Sequence, residues 1–81
     1  MRFPAKRPDN ISDIMDWFSE FQMTTGDAVW YIAMPKKLYT RVLKLLDGML
    51  VEKNWLYGAL MLKDSNLKDE IEIFGWAEYA E

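Results

Sequence analysis

Histidine and cysteine, which often carry catalysis at neutral pH, are both absent from this 81-residue chain. Nucleophile–base pairs of the Ser/His or Cys/His kind are therefore excluded. The four glycines are scattered along the sequence, so no glycine-rich loop is available to bind phosphate. These absences predict a protein without enzyme activity, catalytic residues, cofactor or metal.

Carboxylates are the remaining candidates for acid–base or metal chemistry. Glu70 and Glu72 lie two residues apart, which places both on one face of a strand. Residues 64–69 partly match a calcium-binding loop. However, Lys68 stands where such a loop needs Asp or Asn, and Asp69 stands in place of its glycine. Because no further ligand motif accompanies either group, a solvated strand face and an ordinary turn are the simpler interpretations.

Aromatic side chains form a more informative pattern, since Trp, Tyr and Phe together make up 15% of the chain. Strand alternation predicts that one sheet face carries Tyr31, Trp55, Tyr57, Phe74 and Trp76. Such a face is covered by a helix in a three-layer fold, or binds a protein, or stacks nucleic-acid bases. Base stacking is the least favoured, because Glu70, Glu72 and Glu78 on the same face would repel phosphate.

The pattern predicts a small non-enzymatic protein-binding module that docks on another macromolecule through an aromatic and acidic surface. An inhibitor or modulator of a host macromolecule, of the kind that phages encode, is the most concrete form of this hypothesis. The predicted partner-binding residues are Trp17, Tyr31, Trp55, Tyr57, Glu70, Glu72, Phe74 and Trp76.

Basic residues support a different hypothesis. The net charge of −3 divides into +3 over residues 1–8, −5 over residues 9–27, +3 over residues 28–53 and −4 over residues 54–81. Attraction between these blocks is the simpler interpretation, with the basic stripe of the second helix paired to the acids of the first. Nucleic-acid binding is the alternative, with contacts from Arg2, Lys6, Arg7, Lys36, Lys37, Arg41 and Lys44. A homodimer that buries its aromatic face is a second alternative.

Prolines and charge set the first nine residues apart. Pro4 and Pro8 disfavour helix and central strand, so we expect residues 1–9 to form a flexible basic arm and residues 10–81 a single globular domain. The arm lacks the apolar segment of a signal peptide. The longest uncharged apolar run, residues 54–62, is nine residues long, whereas a helical membrane span needs about 20. We therefore expect a cytoplasmic protein with no membrane partner.

An amphipathic helix is predicted directly after the arm. Asn10 and Ser12 are both suitable N-caps, and Gly26 is suited to a left-handed C-cap. Between them, apolar residues recur on one side at helical spacing, at Ile11, Ile14, Met15, Phe18 and Phe21. Trp17 falls at the edge of this stripe.

A buried strand and a second helix form the centre of the predicted fold. Residues 28–34 are uncharged and rich in strand-forming types, which is typical of a central strand. Pro35 favours a helix start directly afterwards. The apolar stripe of this helix resumes in phase beyond Gly48, so we expect the helix to continue until Lys53.

The C-terminal third predicts two more strands. Residues 55–63 are interpreted as one strand, residues 64–66 as a turn, and the strict alternation over residues 70–79 as a second strand. The predicted fold is a small α+β domain in the order α-β-α-β-β with a three-stranded sheet. A mostly helical domain remains the alternative, because residues 59–62 are also helix formers.

Overall fold

The computed structural model describes residues 1–47, 55–56 and 59–77, with only the backbone described for residues 55–56. In order, this part of the chain forms β1 (Arg2–Pro4), α1 (Ile11–Thr25), β2 (Val29–Met34), α2 (Lys36–Leu45), β3 (Trp55–Leu56), β4 (Ala59–Lys63) and β5 (Glu70–Gly75). The predicted α+β class is confirmed, and the mostly helical alternative is wrong.

The described strands form one mixed sheet in the order β1-β5-β2-β4-β3. Strand β5 runs antiparallel to β1 and β2, strands β2 and β4 are parallel, and β3 and β4 form an antiparallel pair. Strand β2 lies at the centre, as its uncharged sequence predicted. The sheet has more strands than the predicted three, because the N-terminal segment adds one and residues 55–63 supply two.

The N-terminal segment is a fixed edge of the sheet, which corrects the prediction of a flexible arm. Phe3 pairs with Ile71 in the β1–β5 ladder and is buried in the core. Beyond the strand, the Ala5 N–H donates to the Asp69 carbonyl at 2.9 Å. Pro8 is fully buried, and its carbonyl accepts a hydrogen bond from Arg41 Nε at 2.8 Å. Proline is compatible with β1 because an edge strand needs only half of its backbone groups for the ladder.

Residues 55–56 and 59–63 form two strands, paired antiparallel, instead of the single predicted strand. Trp55 pairs with Leu60 and Leu56 with Ala59, which leaves a two-residue connection. A glycine in such a connection is a recognised hairpin signal. Tyr57 and Gly58 themselves lie outside the described residues.

Both helices pack on the same face of the sheet. One hydrophobic cluster joins the two helices to the strands; it includes Ile14, Phe18 and Phe21 of α1, Leu38, Tyr39 and Val42 of α2, and Ile32, Met61, Ile71 and Ile73 of the sheet. The connections β1-α1-β2 and β2-α2-β4 advance in the same direction along the sheet, and crossovers of the usual right hand then place both helices on one side. Of the three alternatives for the aromatic face, cover by the first helix in a three-layer fold is therefore wrong.

Helix α1 begins and ends where its capping residues predicted. The Asn10 side-chain oxygen accepts a hydrogen bond from the Asp13 N–H at 3.1 Å, so Asn10 rather than Ser12 is the N-cap. Gly26 adopts the left-handed conformation with φ 71°, and its N–H donates to the Gln22 carbonyl at 2.8 Å. Ile14, Phe18 and Phe21 of the apolar stripe are buried as predicted, Ile11 is partly buried, and Met15 is exposed.

Helix α2 begins directly after Pro35, as predicted, but it ends earlier than expected. The last helical residue is Leu45, and Leu46 caps the helix with φ −100°. Leu46 and Asp47 form a turn, so the helix does not run unbroken into Gly48. The rest of the predicted extension, residues 48–54, lies outside the described residues.

Candidate functional site

The sheet face opposite α1 and α2, called here the open face, carries the aromatic residues in a cross-strand row. Phe74 of β5 is aligned with Tyr31 of β2, and Tyr31 is aligned with Leu60 of β4. All three side chains are partly exposed, whereas their sequence neighbours Ile32, Met61 and others lie in the core. The alternation of β5 was predicted correctly, with Glu70, Glu72 and Phe74 on the open side.

A β-bulge enlarges this row into a four-ring cluster. The β2–β5 register shifts between Val29 and Tyr31, which makes Trp30 the inserted residue. Its ring lies 4.8 Å from the Tyr31 ring, edge-on at 77°, and 6.1 Å from the Trp76 ring. The Tyr31 and Phe74 rings are stacked at 4.3 Å and 17°. We call Trp30, Tyr31, Phe74 and Trp76 the aromatic cluster.

Trp76 is held beside Trp30 by backbone contacts at the end of β5. The Trp76 N–H donates to the Ala28 carbonyl at 3.1 Å, and the Ala77 N–H donates to Asp27 Oδ2 at 2.8 Å. Gly75 permits this approach, because a Cβ atom there would overlap the Asp27 carboxylate. Trp76 is 45% exposed and lies at the rim of the cluster.

A second cross-strand row lies next to the aromatic one and contains Arg2, Glu72, Ala33 and Leu62. Glu72 is aligned with Arg2 on one side and with Ala33 on the other, and Ala33 is aligned with Leu62. Arg2 Nε lies 3.7 Å from Glu72 Oε2. Ala33 is only 5% exposed, whereas Leu62 is 38% exposed. Glu70, beyond this row, is partly exposed.

Five of the eight predicted partner-binding residues come together on or beside the open face, namely Tyr31, Glu70, Glu72, Phe74 and Trp76. Trp17 does not join them, because it lies on α1 and packs against the helix-side core. The Trp55 backbone pairs with Leu60, and Tyr57 lies outside the described residues.

The sequence reasoning missed Trp30, Leu60 and Leu62. Strict alternation placed Trp30 with Ile32, and only the bulge brings it to Tyr31. No residue type in β2 signals that bulge. The two leucines were assigned within a single strand over residues 55–63, so their partners in β2 could not be identified; the glycine at position 58 was the available hairpin signal.

The seven cations of the nucleic-acid hypothesis are divided between surfaces. Arg2 lies on the open face with Glu72, whereas Lys37 pairs with Asp69 at 2.7 Å on the helix side. Arg41 donates to the Pro8 carbonyl. The predicted pairing of the α2 stripe with the acids of α1 is therefore wrong for these two residues. Lys36 and Lys44 are exposed on α2.

Lys6 and Arg7 lie between basic and acidic neighbours. With Lys37 and Asp69 they line a cleft of about 480 Å³ beside α2. On their other side they line a groove with the α1 acids Asp13, Asp16 and Glu20. Lys37 lowers the pKa of the Asp69 carboxyl, mainly through its hydrogen bond and to a smaller extent through its charge. The cleft is thus a mixed-charge surface and not a continuous basic one.

The described residues contain no group of three or more His, Cys, Asp or Glu side chains placed to hold a metal. Residues 64–66 form the predicted turn, in which the Asn66 N–H donates to Asp64 Oδ1 at 2.9 Å. Neither described helix has the length and apolarity to cross a membrane.

Comparison with known proteins gives no family, since no family model, curated protein or solved structure matches the chain significantly.

Proposed function

We propose that this protein is a non-enzymatic binding module that docks onto another protein through the open face. The observation that carries this proposal is the aromatic cluster, four rings gathered on a sheet face on which no described helix packs. Trp, Tyr and Phe are enriched at the centres of protein interfaces, where they bury large areas with few rotatable bonds. Glu70 and Glu72 provide the polar rim that such a centre needs.

Charge favours a protein partner over nucleic acid at this face. Glu70 and Glu72 lie on it, and Arg2 is the only cation of the described strands that shares it, since Lys63 lies over the Tyr39 ring of α2. A phosphate backbone would meet net negative charge here. The proposed mode of action is inhibition or modulation of the partner, and the phage-encoded form of this hypothesis is an analogy with small proteins that act by docking on a host macromolecule.

Two leucines of equal exposure provide a matched test of the docking face. Leu62 lies on the open face and is 38% exposed, whereas Leu43 lies on α2 and is 37% exposed. The partner is captured from a lysate, identified, purified and titrated against wild type, Leu62→Ala and Leu43→Ala. We expect Leu62→Ala to weaken the affinity by about fivefold to thirtyfold, as truncation of an interface anchor does. Leu43→Ala should leave it unchanged.

Three results would contradict the proposal. Equal affinities for Leu62→Ala and Leu43→Ala would remove the open face from the interface. Binding that an oligonucleotide competes away, and that falls steeply between low and moderate salt, would support the nucleic-acid alternative. Self-association in sedimentation that Leu62→Ala abolishes would assign the face to a homodimer.

A further inference from the structure

The open face carries two carboxylates on the same side of β5 as the partly exposed ring of Phe74, and this combination specifies the chemistry of a partner. We propose that the docking partner inserts an arginine side chain at the Glu72–Ala33 row, with its guanidinium between the carboxylates and the aromatic cluster. This inference rests on the proposed docking function and adds the identity of the group that is recognised.

The first argument is the charge balance of the row. Glu70 and Glu72 both lie on the open side of β5, and Arg2 approaches only Glu72, with Nε 3.7 Å from Oε2. Within the described part of the chain, no Lys or Arg nitrogen lies within 4.0 Å of Glu70. The face therefore has carboxylate capacity that its own cation does not use, and a second cation would complete it.

The second argument is the apolar surface beside the carboxylates. Ala33 is aligned with Glu72 on one side and with the 38% exposed Leu62 on the other. Ala33 itself is only 5% exposed, so an extended alkyl stem in this row would lie over it and against Leu62. A long basic side chain buries its methylene groups on apolar surface and keeps its charged end in a polar environment, which here is supplied by Glu72 and Glu70.

The third argument selects arginine over lysine. Phe74 follows Glu72 on the same side of β5, and its ring stacks on Tyr31 at 4.3 Å. A planar guanidinium can lie against an aromatic ring and bond a carboxylate through two parallel N–H groups at once. An ammonium group is a compact, strongly hydrated charge and has no planar face to stack. A site with both a ring and a carboxylate therefore favours the guanidinium.

The test uses the full chain and two short peptides that differ only in charge. Acetyl-Gly-Arg-Gly-Arg-Gly-amide is titrated into the ¹⁵N-labelled protein at low salt, followed by the same peptide with citrulline, the neutral isostere of arginine. We expect the amide signals of Glu72, Ala33 and Tyr31 to shift with the arginine peptide, with an affinity about fivefold tighter than for citrulline. Equal affinities for the two peptides would overturn the inference, and so would arginine-induced shifts confined to α1.

Two pairs of variants separate a local site from general attraction. Glu72→Gln should weaken the affinity for the arginine peptide by about fivefold. Glu20→Gln, which removes the same charge from α1, should change its affinity less than twofold. Arg2→Ala removes the cation beside Glu72 and should tighten binding of the arginine peptide. Lys44→Ala removes an equal charge from α2 and should leave the affinity for this peptide unchanged. Equal effects within either pair would contradict the inference.

This experiment does not decide the proposed function, which stands on the comparison of Leu62→Ala with Leu43→Ala. If Leu62→Ala alone weakens the partner while arginine and citrulline bind alike, the open face is the docking surface but does not select arginine. If both leucine variants bind the partner as wild type does, the docking function itself has failed.

Discussion

The Asp27 carboxylate accepts a hydrogen bond from the backbone N–H of Ala77, 50 positions away in sequence, at 2.8 Å. Its other oxygen accepts from the Ala28 N–H at 2.8 Å. One side chain thus ties the loop between α1 and β2 to the residues that follow β5. Trp76 lies within this connection, so the position of its ring beside Trp30 depends on a residue that is not aromatic.

Replacing Asp27 should loosen this connection. Asp27→Ala removes the acceptor of the Ala77 N–H, and we expect a loss of about 1–2 kcal/mol in the free energy of unfolding. The rings of Trp30 and Trp76, now 6.1 Å apart, should separate. Urea unfolding measures the first effect, and proton contacts between the two indoles in NMR spectra measure the second. Asp27→Asn keeps one side-chain oxygen and should lose less. Indole contacts that persist in Asp27→Ala would show that Asp27 does not position Trp76.

Gly75→Ala should destabilise the protein by a different route. The added Cβ would overlap the Asp27 carboxylate and lie 3.1 Å from Phe21 Cζ, so the neighbours must move. Overpacking of this kind costs about 1–3 kcal/mol of unfolding free energy. In an Asp27→Ala background the first clash is absent, so the same substitution should cost less, as a double-mutant cycle would measure. Equal costs in both backgrounds would locate the strain at Phe21.

Local sequence signals predicted the single elements well because each depends on near neighbours. The caps at Asn10 and Gly26, the helix start after Pro35 and the alternation of β5 follow from hydrogen bonds and side-chain periods within a few residues. The uncharged run at β2 correctly indicated a central strand: β2 lies between β5 and β4, and its side chains are buried or partly buried. These elements supply the fold class and most of the open face.

Features that depend on distant partners could not be predicted in the same way. Phe3 resembles part of a free tail until Ile71 pairs with it, and Trp30 leaves the alternation only because β5 imposes a bulge. The side of the sheet covered by α1 depends on β1, since the hand of the β1-α1-β2 connection fixes it. Because this short edge strand was not predicted, the sequence left open which face α1 covers, and it did not place Trp17 on the side opposite the aromatic cluster.

The choice between two candidate N-caps gives a direct test of α1. Asn10→Ala removes the acceptor for the Asp13 N–H and should lower the free energy of unfolding by about 1 kcal/mol. Ser12 lies inside the helix and is exposed, so Ser12→Ala should change it by less than about 0.5 kcal/mol. Chemical denaturation of the two variants compares them. A larger loss for Ser12→Ala would place the start of the helix two residues later.

The Lys37–Asp69 pair should respond to pH in a defined direction. Lys37 lowers the pKa of the Asp69 carboxyl through a 2.7 Å hydrogen bond and through its charge, and Lys68 lowers it less. Because the folded-state pKa is depressed, the stabilisation by this pair is present above the unfolded-state pKa. It is lost as the pH falls through the folded-state pKa. Both side chains are largely exposed, so the pKa itself is a more sensitive measure than stability.

Lys37→Met should therefore raise the pKa of Asp69 toward its ordinary value, as carboxyl ¹³C chemical shifts across an acid titration would record. Lys68→Met should raise it less, because Lys68 acts only through its charge. Added salt should reduce the effect of Lys68→Met more than that of Lys37→Met, since screening weakens an exposed charge more than a direct hydrogen bond. Equal shifts for the two variants would show that Lys37 acts only as a nearby charge and that the hydrogen bond is not formed in solution.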